Sequence, residues 1–143
     1  MGLILDSSVL IAAERRGHSV RQILEQIRAA NGDVEIGISV VTIAELMHGA
    51  YRARNDADRL RRFSFIDRLC SDIPVYPVTI EIARTIGRIE GQQAARGIAI
   101  PFEDLAIGVT ALQLGFELTT HNVRHFQAIP TLKVIPFQNP NLP

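Results

Sequence analysis

The chain holds one cysteine among its 143 residues. No disulfide can form within it, which fits a reducing cytosol. Cys70 sits inside an apolar-periodic segment and is expected to be a small core residue. Net charge is also lacking, since 15 Lys and Arg balance 15 Asp and Glu. That balance removes the global basic signature of many nucleic-acid binders, yet leaves room for a compact acidic site offset by a basic rim. No apolar run approaches the ~18 residues of a membrane span. The first residues lack a basic signal-peptide region, and their apolar stretch stops at Asp6. The expectation is a cytoplasmic protein with no membrane partner. Nucleotide-loop patterns of the GxGxxG and GxxxxGKS/T kind are missing, as are a G-x-S-x-G elbow and His/Cys spacing suited to zinc. The four histidines, His18, His48, His121 and His125, are scattered and read as ordinary surface or satisfied side chains.

What is present is enough apolar material for a core, 47% of residues, in a chain the length of one domain. A domain this size buries roughly 68–70% of its unfolded surface. Short apolar runs alternate with helical periodicity. Strands are expected at residues 3–5, 35–39, 75–78, 116–119 and 132–135. Helices are expected at 7–15, then along Val20, Ile23, Leu24 and Ile27, then from Thr42 through Ile43, Leu46, Met47 and Ala50. Asn55-Asp56 breaks the pattern. A further helix over 58–71 would pack Leu60, Phe63, Ile66 and Leu69. Thr79 caps a helix burying Ile82, Ile86, Ile89 and Ala94, with Gly97 at its end. The last long helix covers 102–114 and stops at Gly115. The tail 138–143 is proline-rich and expected to be loose. Strands alternating with helices imply an α/β fold with a parallel sheet covered on both faces.

Three acids stand where such strands give way to helices: Asp6, Glu45 and Asp104. Each has a plain structural explanation. Asp6 could cap a helix. Glu45 completes a Thr42-x-x-Glu45 capping box. Asp104 favours the dipole of the helix after Pro101. Together they carry a second meaning, because ligands bind at the carboxyl edge of a parallel sheet. Acids that meet there would repel one another unless a hard divalent cation bound them.

Four segments then resemble the motifs of the PIN-domain ribonucleases. They are Leu3-Ile4-Leu5-Asp6-Ser7-Ser8-Val9-Leu10-Ile11, Ser39-Val40-Val41-Thr42-Ile43-Ala44-Glu45-Leu46 with Gly49, Pro101-Phe102-Glu103-Asp104-Leu105-Ala106-Ile107 with Ala111, and Thr119-Thr120-His121-Asn122-Val123-Arg124-His125-Phe126 with Ile129-Pro130. The resemblance runs in order over residues 1–143 as a single PIN domain. The short form is similar to the toxin component of VapBC-type toxin–antitoxin pairs. It implies a three-layer α/β/α fold with a central parallel sheet, Mg²⁺- or Mn²⁺-dependent endoribonuclease activity, a homodimer, and a small cognate antitoxin as partner. It maps the catalytic and metal-holding acids onto Asp6, Glu45 and Asp104. Ser7 takes the hydroxyl position beside the first acid and Asn122 the polar position after the fourth strand. Many relatives carry a further acid at the place of Asn122 or His125, and this chain does not. Glu103 would point elsewhere on its helix. Among Arg52, Arg54, Arg59, Arg61 and Arg62, the first two are candidates for RNA or antitoxin contact. Tyr51 and Phe65 read as packing residues. The competing readings are a non-catalytic binding module whose acids are only caps, and a metal-dependent DNA nuclease or phosphatase using the same acids.

Overall fold

A computed structural model describes residues 1–137. Five strands form one parallel sheet: β1 (Gly2–Leu5), β2 (Glu35–Ser39), β3 (Val75–Tyr76), β4 (Glu117–Thr120) and β5 (Val134–Pro136). Their order is β3-β2-β1-β4-β5. The helices are α1 (Ser7–Arg15), α2 (Val20–Asn31), α3 (Val40–Tyr51), α4 (Asp56–Asp72), α5 (Ile80–Ala94), α6 (Phe102–Leu114) and the short α7 (Val123–Phe126).

Successive side chains of a strand face opposite sides of the sheet. Leu3 and Leu5 accordingly enter one core with residues of α1, α2, α3 and α4, while Ile4 enters a second core with residues of α5 and α6. One sheet between two helical layers gives the expected three-layer α/β/α fold. In β2, Ile36 and Ile38 join the first core. Between them Gly37 faces the other way, where a Cβ would collide with the Tyr76 ring, so only glycine fits.

β1 is the middle strand. From it the chain order runs β2, β3 to one side and β4, β5 to the other. This reversal opens a crevice beyond the carboxyl ends of β1 and β4. Backbone register places Leu5 beside Thr119, and the Asp6 N–H donates to the Thr119 carbonyl at 3.0 Å. Asp6 therefore leaves the sheet at the switch point.

Several expected details shift. β3 ends at Tyr76, and β4 and β5 lie one to two residues later than the apolar runs suggest. The break expected at Asn55-Asp56 is there, since α3 stops at Tyr51, but α4 already starts at Asp56, capped by Asn55, whose side chain accepts from Asp58 N–H at 2.8 Å. α4 buries Ile66 and Leu69 but leaves Leu60 64% exposed, and Cys70 is exposed too. α5 buries Gln93 where Ala94 was expected, because the Gln93 amide donates to the Ala128 carbonyl. Tyr51 is 64% exposed, its ring edge-to-face with Phe63 at 5.3 Å. The tail 138–143 lies outside the described residues.

Candidate metal centre at the carboxyl edge of the sheet

β2 passes into α3 without a loop. Ser39 ends the strand in extended conformation, and its hydroxyl caps the helix by accepting from Val41 N–H at 3.2 Å. The helix thus begins at Val40, ahead of the expected Thr42. Glu45 falls in the second turn, so the Thr42–Glu45 capping box does not form. Thr42 is fully buried instead.

Asp6 does occupy the N-cap position of α1, yet makes no side-chain cap bond. Hydroxyls surround its carboxylate. Ser8 and Thr120 each donate to Oδ2 at 2.7 Å. Ser7 reaches Oδ1 at 3.4 Å and Glu45 Oε2 at 3.1 Å, linking the first two acids through one side chain. Asp104, in the first turn of α6, lies 3.6 Å by Oδ2 from Nδ1 of His125. All three acids line one cleft of about 890 Å³, together with Ser7, Asn122 and His125. Glu103 lines it as well, contrary to expectation.

Glu45 separates this cleft from a cavity of about 80 Å³ walled by Ile11, Leu46, Phe65 and Ile66 and also by Glu14, Arg15 and Arg62. The loss of hydration there raises its carboxyl from 4.5 to about 7. The Ser7 hydrogen bond opposes the rise, and repulsion from Asp6, Asp104 and Glu103 adds to it. Burial likewise raises Asp104, against the pull of His125 and with repulsion from Asp6 and Glu103. Among the described residues, no three His, Cys, Asp or Glu side chains close around a single point. The carboxylates instead wall an open cleft. That donor set fits a hard cation that keeps several waters and takes one or two carboxylates directly. One observation supports the fit: Glu45 Oε1 is buried and has no hydrogen-bond partner among the described residues.

Ser8 and Thr120 are neighbours of Asp6 that sequence reasoning did not single out. Thr120 stood inside the fourth motif, where its neighbours drew attention. Asn122 touches the arrangement through its backbone N–H, which donates to Thr120 Oγ1 at 2.9 Å. Arg62 is engaged, donating to the Gly49 carbonyl at 2.7 Å, and Arg59 and Arg61 pair with Asp56 and Asp58. Arg52 and Arg54 are exposed and form no ion pair among the described residues.

Fold and site together define a parallel α/β protein that gathers carboxylates at the switch point of its sheet. The chain belongs to the PIN domain family, whose sequence profile matches residues 3–132. It is similar to ribonuclease VapC1 of Rickettsia felis, 33% identical over 135 residues, covering 94% of this chain and 96% of that protein. Ribonuclease VapC of Rickettsia bellii is 30% identical over the same shares of both chains. Among solved structures, VapBC-1 from nontypeable Haemophilus influenzae matches with TM-score 0.75 and 27% identity, over 95% of this chain and 98% of that one. VapBC2 from Rickettsia felis, bound to promoter DNA, shares the fold with TM-score 0.80 at 20% identity, over 96% and 100% of the two chains. Among the described residues no helix is long and apolar enough to cross a membrane.

Proposed function

We propose that this chain is a divalent-metal-dependent endoribonuclease of the VapC type, the toxin of a toxin–antitoxin pair. The observation that carries the reading is the meeting of Asp6, Glu45 and Asp104 in one cleft, with Glu45 Oε1 left unpartnered. Membership of the PIN domain family and likeness to curated ribonucleases support it.

Asp6 and Asp104 would hold Mg²⁺ or Mn²⁺, and Glu45 would bind it through Oε1 or orient its water. A bound cation of this kind polarises a phosphoryl oxygen and lowers the pKa of its water. Asp6 is fixed for that work by the Ser8 and Thr120 hydroxyls, and Ser7 holds Glu45 in place. Without metal, burial and repulsion from the other acids raise the Glu45 carboxyl to about 7, so a cation held there would offset an unfavourable charge. Asn122, at the cleft rim, would donate to phosphate or to a cation-bound water. Arg52 and Arg54 remain available for RNA backbone or an antitoxin.

A small cognate antitoxin is the expected protein partner, since solved relatives are VapBC assemblies. Self-association as a homodimer is part of the same reading, motivated by apolar side chains left at the surface such as Tyr51 and by half-buried Met47 and Phe63. Light scattering at micromolar concentration should report twice the chain mass, and a strictly monomeric mass would remove the dimer.

Matched RNA, DNA and phosphate-ester substrates with Mn²⁺ test the activity. RNA alone should be cut, and Glu45→Gln should abolish the cut. Cleavage of DNA or the ester in preference to RNA would replace the substrate class. A melting temperature indifferent to Mn²⁺ would favour a binding module.

A further inference from the structure

A second hollow, of about 450 Å³, opens beside the acidic cleft between the end of α1 and the turn joining β4 to α7. Arg15, Arg16 and His121 wall it, and Ser8, Ile11 and Asn122 line both spaces. The turn is held against α1 by His121 N–H, which donates to Ser8 Oγ at 3.1 Å. Ser8 in turn donates to Asp6. The His121 ring lies edge-on to Phe137, with centroids 5.1 Å apart. Arg15 and Arg16 are exposed and form no ion pair among the described residues.

We propose that this hollow holds the RNA backbone phosphate next to the one being cut, gripped by Arg15 and Arg16 with His121 beside them. The proposal rests on the ribonuclease reading and deepens it. Three carboxylates in one cleft repel a polyanion, so a strand crossing them needs positive charge close by. The two guanidiniums supply it directly across the shared wall. Their planar donor forks match phosphate oxygens in bidentate fashion. His121 adds a ring nitrogen for hydrogen bonding at the same wall. An acidic protein segment would also meet the guanidiniums, but it would bring carboxylates up to Asp6 with no reacting phosphate to place there.

The test uses the double variant Arg15→Gln/Arg16→Gln. Arg28→Gln serves as control, because Arg28 lies beside Val34 and Glu35 at the amino edge of the sheet. Binding of a labelled single-stranded RNA without added metal is followed by anisotropy across a salt series. Losing one phosphate contact should make the slope of log K against log salt shallower by about 0.7. With Mn²⁺, KM for the same RNA should rise roughly tenfold with kcat little changed. The penalty should vanish on a dinucleoside monophosphate, which has no neighbouring phosphate. Arg28→Gln should match wild type throughout. No RNA binding by wild type overturns the subsite. So do equal slopes for wild type and double variant, including the case where the double variant loses only a small acidic protein partner. A wild type that cuts RNA alongside an unimpaired double variant sinks the subsite alone. The expected slope change without any RNA cleavage sinks the ribonuclease reading and the place of this phosphate beside a cut, while the contact of the two arginines with RNA backbone stands.

Discussion

Thr120 donates its hydroxyl to the Asp6 carboxylate at 2.7 Å, joining residues 114 positions apart. The bond closes the switch point, since Thr120 ends β4 and Asp6 follows β1. With Ser8 of α1 on the same oxygen, the carboxylate is aimed by hydroxyls from two segments and makes no cap bond to the backbone of the helix it precedes. Buried charges need such partners.

Thr120→Val keeps the shape of the side chain and removes the donor. A hydrogen bond to a charged group contributes about 1.5–3 kcal/mol, and Ser8 remains in place. The variant should lose stability of that order in urea denaturation and bind Mn²⁺ more weakly. An unchanged midpoint with unchanged Mn²⁺ affinity would show that Ser8 alone positions Asp6.

The layers were legible because the apolar runs before Asp6 and Glu45 are strands, and the period-2 split of Leu3, Ile4 and Leu5 needs helices on both faces. All three acids do reach one edge. Thr42-x-x-Glu45 misled because it has the form of a capping box, while Ser39, buried at the strand end, takes the cap three residues earlier. Leu60, Cys70 and Ala94 were placed inward by periodicity alone. A polar residue that finds a carbonyl, as Gln93 finds that of Ala128, can take the inward position instead. Thr120 could not be identified from sequence, because its role depends on β4 pairing with β1 across most of the chain.

Glu45→Gln separates structure from chemistry. No capping bond is at stake, so a purely structural role predicts little effect. The catalytic role predicts a fall in RNA cleavage of at least about 100-fold and loss of the Mn²⁺ response. Without metal, the variant should melt higher than wild type at pH 8, because it removes a poorly hydrated charge repelled by Asp6, Asp104 and Glu103. Asp6→Asn and Asp104→Asn should also stop cleavage. Wild-type cleavage by any of the three would remove that residue from the mechanism.

The raised carboxyls give a pH dependence of definite sign. Glu45 titrates near 7 in the folded chain against an ordinary 4.5, so the folded state holds its proton more tightly than the unfolded state. Its contribution to metal-free stability therefore falls as pH rises from 4.5 to about 7 and is level above that. Asp104 acts in the same direction. Cations bind the ionised form, so the Mn²⁺-induced gain in melting temperature should be small at pH 6 and large at pH 8. Scanning calorimetry of wild type and Glu45→Gln over this range isolates the Glu45 part as their difference. Parallel curves for the two proteins would place the titration elsewhere.

The missing fourth acid yields the last prediction. Asn122 and His125 both line the cleft, but they meet it differently. His125 presents its ring to Asp104 at 3.6 Å, whereas the hydrogen bond from Asn122 comes from its backbone. A carboxylate at 125 would thus face Asp104 directly, while the Asn122 side chain makes no hydrogen bond among the described residues. His125→Asp should tighten Mn²⁺ binding roughly tenfold in calorimetric titration, and Asn122→Asp should tighten it less. The gain has a cost without metal. Replacing a histidine that draws the Asp104 pKa down by an acid that repels it should lower the melting temperature at pH 8. Mn²⁺ should then restore more stability to His125→Asp than to wild type. If neither substitution alters cation affinity, the segment after β4 lies outside the metal centre, and Asp6, Glu45 and Asp104 hold the ion without it.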